Sequence, residues 1–227
     1  MQIIKKEVVK KNIRNYAYYI AQLWLGKKPN MSKQAKTLSA QDIRRVLDYM
    51  STRPHAARNR AMFLTMAYAG LRVGETAALT YANVMEADGS IRKEIYLAAE
   101  QTKGRYGRTV FVNEKLCKEL HNYVTANPPQ HQTAKGDKAE RLFYTQKKAG
   151  AGFSANTLTQ HFHYLYRRVG IAGASSHSCR RTFITNLAAK GVGVRVLMAL
   201  AGHRNIGTTQ AYIDINDTMK RAAVELV

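Results

Sequence analysis

Gly202-His203-Arg204-Asn205-Ile206-Gly207-Thr208-Thr209-Gln210-Ala211-Tyr212, taken with His177-Ser178-Cys179-Arg180-Arg181-Thr182-Phe183 upstream, decides how this chain is read. The first stretch sets a histidine and a tyrosine nine positions apart, and the second sets a histidine and an arginine three apart. The shorter spacing puts both side chains on one face of a helix. By itself Tyr212 would read as a packed tyrosine and His203 as a helix-end residue. Together with an arginine and a second histidine they suggest chemistry on a phosphodiester.

Composition agrees. The chain carries 36 Lys plus Arg against 15 Asp plus Glu, a formal charge of +21, well beyond what solubility asks of a protein this size. That charge calls for a polyanion. An anionic membrane surface is the weaker choice, because it needs a basic helix with a strong apolar face, whereas Lys and Arg here are spread from Lys5 to Arg221. With 227 residues and 45% hydrophobic content the chain can bury a real core. The run Ala61 to Leu71 is too short to span a bilayer, and the apolar residues of the first 25 positions are interrupted by Lys10, Lys11, Arg14 and Asn15, so no signal-peptide core follows the early lysines. Cys117 and Cys179 have no metal-binding spacing and are too few for a disulfide framework. A reduced, cytoplasmic, nucleoid-associated location is expected.

The pattern predicts a mainly α fold with a small antiparallel β-sheet, an α+β domain. Residues 1–36 read as an N-terminal helix, roughly Lys6 to Leu25, followed by a basic linker; residues 37–227 read as the main domain, with a tail over about 213–227. Ser39 and Asp42 form a capping-box pattern ahead of Ile43, Val46, Leu47 and Met50, which recur at helical spacing. A more buried helix follows Pro54 and stops at Gly70. Runs from Glu94 to Ala98 and Thr109 to Val112 flank Gly104-Arg105-Tyr106-Gly107 and read as a hairpin with Lys103 at its mouth. Helices return over Leu116 to Val124, through Leu158 to Val169, after a Ser176 cap, and over Val194 to Ala201. His121, His131, His161 and His163 read as surface or DNA-facing, and Cys179 as an inert core thiol.

Phosphodiester transfer builds negative charge on the non-bridging oxygens, and a guanidinium meets it with two parallel hydrogen bonds while staying charged. Arg72 and Arg180 are the candidate pair. A tyrosine hydroxyl with a pKa near 10 is about 0.1% ionised at neutral pH, so Tyr212 as nucleophile needs a proton acceptor, which His177 can supply. His203 can donate to the phosphate. The departing alkoxide needs a proton, and Lys103, at the mouth of the hairpin, suits that role. No HExxH, DxD or zinc-spaced Cys/His cluster occurs, so neither metal nor cofactor is expected.

Arg72 in GLRVGE, Lys103 in QTKGRYGRTV, His177 and Arg180 in HSCRRTF, His203 in AGHRN and Tyr212 in TTQAYIDI resemble the tyrosine recombinases, the phage integrase family. The resemblance spans roughly residues 37 to 220 and keeps the blocks in family order. It implies the recombinase catalytic-domain fold and a site-specific DNA recombinase of type IB mechanism, and Glu75 matches the acidic position three after the first arginine in some family members, which implies a supporting salt-bridge role. In that mechanism Tyr212 attacks the scissile phosphate to give a 3′-phosphotyrosyl link and a 5′-hydroxyl, without ATP. Lys103, Arg105, Arg108, Arg181 and Arg204 then read as contacts to double-stranded DNA. The resemblance also implies a homo-tetramer on DNA joined through the C-terminal tail. With only about 36 residues ahead of the catalytic region, the chain is similar to short Fim-type members; a full DNA-clamping domain is not expected, and an accessory DNA-binding protein could supply it. A type IB topoisomerase and a catalytically silent DNA-binding or architectural regulator are the competing readings.

Overall fold

The computed structural model describes residues 34–129, 140–145, 151–213, 220–221 and 224–225. The chain divides into two compact units, Met1–Gln34 and Ala35–Val227. Apart from Gln34 the first lies outside the described residues, as does the predicted helix from Lys6 to Leu25; so do Met219, Ala222, Ala223 and Leu226 of the predicted tail.

The second unit is built around one helix. Ala56–Ala69 (α2) carries Arg58, Asn59 and Arg60 in its first half but buries every position from Ala61 to Ala67, Met62, Phe63, Leu64 and Met66 among them, and a stretch buried on every side belongs inside. Ala40–Ser51 (α1) packs on it through Val46 and Met50. The Ser39 hydroxyl accepts from the Asp42 N–H, and the Asp42 carboxylate accepts from the Ser39 N–H, both at 3.0 Å, so the capping box read from the sequence is formed. After Gly70 come two short helices the sequence pattern did not reveal, Val73–Ala78 (α3) and Tyr81–Val84 (α4). They are too short to display a helical period.

Glu94–Leu97 (β1) and Arg108–Phe111 (β2) pair antiparallel, Ile95 opposite Val110 and Leu97 opposite Arg108. Ile95, Leu97 and Val110 face the core while Tyr96 and Phe111 face outward, the alternation a half-buried ribbon requires. Glu114–Ala126 (α5) and Ala155–Arg168 (α6) follow, capped by Asn113 and Ser154; α5 packs on α2 and α6 on α3. Ser178–Ala189 (α7) lies against α2, and Val194–Ala201 (α8) and Ile206–Gln210 (α9) close the domain. Ile184, Ala188, Leu197 and Ala201 form a second, smaller apolar cluster, with Tyr212 packed against it.

Two expectations need correcting. Ser176 does not cap α7: the helix starts at Ser178 after His177. The serine hydroxyls instead tie the preceding turn, Ser178 accepting from the Ser175 N–H and Ser175 from the His177 N–H. His161 is partly buried rather than fully at the surface: its ring packs against Phe153 and Phe162, and its Nε2 is buried without a hydrogen-bond partner among the described residues. Burial, then the Arg58 charge, lowers its pKa. His163 is exposed. Cys179 is buried 3.2 Å from the Tyr166 hydroxyl, and burial pushes its thiol up to about 12, which makes it an unreactive core thiol.

Candidate active site

Three chain reversals bring the distant motifs together. Gly70 ends α2 and Gly202 ends α8, both in the left-handed conformation with φ of 63° and 59°. Neither has room for a side chain: a Cβ on Gly70 would lie 2.5 Å from Phe183 Cδ1, and one on Gly202 would lie 2.6 Å from Arg108 Cδ. Glycine is therefore required for conformation and for close approach. The third reversal is the turn between the strands, where the Thr102 hydroxyl accepts from the Tyr106 N–H at 3.1 Å and Lys103 is left exposed.

The helix-terminal carbonyls then hold the arginines. Arg180 is 2% exposed; its Nη1 donates to the Gly70 carbonyl at 2.7 Å and its Nη2 to the Ala201 carbonyl. Both acceptors lie at the C-terminal ends of helices, where the partial negative charge favours a cation. Burial, followed by the Arg72 charge, lowers the Arg180 pKa, yet a guanidinium stays protonated across the physiological range. Arg72 donates through Nη1 to Glu75 Oε1 at 2.8 Å and through Nη2 to the Gly202 carbonyl at 3.2 Å. Glu75, 1% exposed, also accepts from the Arg72 N–H and from Arg108 Nη2, both at 2.8 Å on Oε2. Burial works against ionising Glu75, but the Arg108 hydrogen bond and charge, with the Arg72 contacts, outweigh it and hold the carboxyl below its usual value.

His203 Nδ1 lies 2.9 Å from the Thr209 hydroxyl. Burial first, then Arg180, Arg72 and Arg108, brings its pKa to about 4. At neutral pH the ring is uncharged, so one of its two nitrogens is a donor and the other an acceptor. The His203 and Tyr212 rings stack at 5.6 Å and 22°. Tyr212 is further placed by the Thr185 hydroxyl, which donates to its carbonyl at 2.9 Å, and by the Arg181 guanidinium 5.5 Å over its ring. His177, exposed at the start of α7, has its pKa lowered by burial, then by Arg180, Lys103 and Arg72. It too is neutral near pH 7. A cleft of about 390 Å³ lined by Arg72, Lys103, Arg108 and His203 opens beside this group.

The structure thus gathers Arg72, Glu75, Lys103, His177, Arg180, His203 and Tyr212 around one centre. The basic residues expected on DNA divide. Arg105 and Arg204 are exposed, Arg204 stacking 4.4 Å over the Tyr106 ring. Arg181 is buried, with Nε 3.1 Å from the Thr37 hydroxyl. Arg108 points inward, its side chain 11% exposed, on Glu75 and the Leu200 carbonyl. Thr209 and Thr185 were missed by sequence reasoning; Thr209, three residues before Tyr212, offered only the hint that a hydroxyl there can reach a neighbouring turn.

A model of the phage integrase family matches residues 36–219. The chain belongs to the phage integrase family. Among relatives, the tyrosine recombinase XerD of Neisseria meningitidis serogroup B is 30% identical over 201 residues, covering 88% of this chain and 65% of that protein. Tyrosine recombinase XerA of Pyrococcus furiosus is 24% identical over 191 residues, 84% of this chain and 61% of that protein. The chain therefore spans roughly two thirds of the length of these relatives. A crystal structure of XerA recombinase superposes with a TM-score of 0.66 at 25% identity, covering 88% of this chain and 66% of that one. The catalytic domain of bacteriophage HP1 integrase does so at 0.59 and 22% identity, covering 85% and 95%. The integrase fold is shared with both. Among the described residues no helix is long and apolar enough to cross a membrane.

Proposed function

We propose that this integrase-family protein is a site-specific DNA recombinase that cuts and rejoins strands through a 3′-phosphotyrosyl intermediate on Tyr212. The observation that carries this reading is the packing of Tyr212 against an uncharged His203 beside two guanidiniums, Arg72 and Arg180, whose orientations are fixed by backbone carbonyls and a buried carboxylate. Preorganised cations of this kind stabilise charge that develops on a phosphate only in the transition state.

The scissile phosphate takes its place between Arg72 and Arg180, with His203 Nε2 donating to a non-bridging oxygen. Tyr212 Oη forms a bond to phosphorus while its proton passes to neutral His177. The phosphorus–O5′ bond breaks, and Lys103 gives a proton to the departing oxygen. The 5′-hydroxyl of a partner strand reverses these steps on the intermediate, so the bond energy is kept and no nucleotide cofactor enters. The +21 charge supports double-stranded DNA as the partner. Assembly of four copies through the tail belongs to the same proposal.

Nicked duplexes tiling the DNA beside the protein's own gene test the reading, because a nick just downstream of the cut lets the short strand diffuse away and traps the cut state. Cleavage leaving a free 5′-hydroxyl and a protein-blocked 3′ end is expected. Specific binding to a duplex with no cleavage would move the protein to the silent regulatory class.

A further inference from the structure

We propose that Arg108 is a positioning residue: it locks the turn carrying Lys103 onto the arms carrying Arg72 and His203, and so sets the reach of the general acid. This rests on the recombinase reading above. Arg108 opens β2 opposite Leu97, directly after the turn that bears Lys103. Its Nη2 donates to Glu75 Oε2 at 2.8 Å and its Nη1 to the Leu200 carbonyl at 2.9 Å.

One guanidinium therefore ties three separate parts of the chain. Through Glu75 it reaches the residue that also orients Arg72; through Leu200 it reaches the end of α8, two residues before the Gly202-His203 turn. Its stem fills the space left by the missing Cβ of Gly202, so the hairpin and that turn interlock by shape as well as by hydrogen bonding. Arg204 stacking on Tyr106 makes a second bridge between the same two turns, nearer the surface.

The fork is what demands arginine. A lysine would keep the charge but present a single ammonium, and could not hold Glu75 and the Leu200 carbonyl in fixed directions at once. Arg108 Nε is buried without a partner among the described residues, an unfavourable feature that a simple surface cation would avoid. With the side chain only 11% exposed, a role inside the domain fits its placement better than a grip on DNA. Loss of Arg108 would leave Glu75 to Arg72 alone and free the hairpin to shift, carrying Lys103 away from the leaving oxygen.

The test compares adduct formation by the full chain on two nicked duplexes of the same sequence, one with the ordinary 5′-bridging oxygen and one with sulfur in its place. A thiolate leaves without a proton, since a thiol has a pKa near 8.5. Lys103→Ala serves as reference: slow on oxygen, restored on sulfur. Arg108→Ala is expected to be slowed about 100-fold on oxygen and less than about 10-fold on sulfur, the range of a lost general acid. Arg108→Lys is expected to show the same pattern more mildly, and it carries the comparison if the alanine variant does not fold. Equal slowing on both substrates, or none on either, would overturn the positioning role. Failure of the unaltered protein to form an adduct on either substrate would instead overturn the recombinase reading.

Discussion

Burying guanidiniums side by side is unfavourable unless each is held by acceptors, and Arg180 and Arg72 are held by the Gly70, Ala201 and Gly202 carbonyls and by Glu75. In the proposed reaction their value lies in being fixed before the phosphate arrives. Arg180→Lys keeps a charge without the two-pronged geometry, and is expected to lower single-turnover cleavage by roughly 100- to 1000-fold with a smaller change in DNA affinity; equal losses in both would mean ordinary binding. The histidines make a prediction about pH. The folded-state pKa of His203, about 4, lies below the unfolded value near 6.5, so the unfolded chain binds more protons between the two. The contribution of neutral His203 is fully present above about pH 6.5 and is lost as pH falls toward 4. Denaturant melts across that window should show stability declining with acid, and His203→Gln should flatten the slope. His177, also lowered, should give cleavage that is level near neutral pH and falls on acidification.

Elements rather than single residues explain what could be read in advance. The capping box at Ser39, the stop at Gly70 and the hairpin around Lys103 were legible because each is a local signal: a hydroxyl three residues from a carboxylate, a left-handed glycine, alternating apolar residues. Helices α3, α4 and α9 were not, because four to six residues carry no periodicity. In the candidate site, the motifs told which side chains the fold brings together, but not the directions in which they point. Nothing in QTKGRYGRTV says that Arg105 faces solvent while Arg108 turns onto Glu75, since that depends on which face of a two-stranded ribbon meets the core. The glycine turns are the elements most exposed to substitution. Gly202→Ala is expected to cost about 1–3 kcal/mol from the left-handed backbone alone, read as a shift in denaturant midpoint, and to slow cleavage further by displacing Arg108. Phe63→Ala, in the central helix and fully buried, should cost about 3–5 kcal/mol, enough to threaten folding at the usual marginal stability.

For the whole molecule, if the proposed function holds, a charge of +21 makes DNA association an electrostatic event first and a specific one second. Affinity should fall linearly in log–log plots against salt, and removing one exposed contact, Arg204→Ala, should reduce that slope by about one without changing sequence preference. Arg108→Ala, whose guanidinium is occupied within the domain, should leave the slope nearly unchanged. The cleavage predictions rest on one covalent bond. The most direct test is mass spectrometry of the protein after incubation with its nicked target duplex and nuclease digestion. A nucleotide phosphate is expected on the peptide containing Tyr212 and absent in Tyr212→Phe; an adduct on another residue, or none on a duplex that is specifically bound, would contradict Tyr212 as the nucleophile.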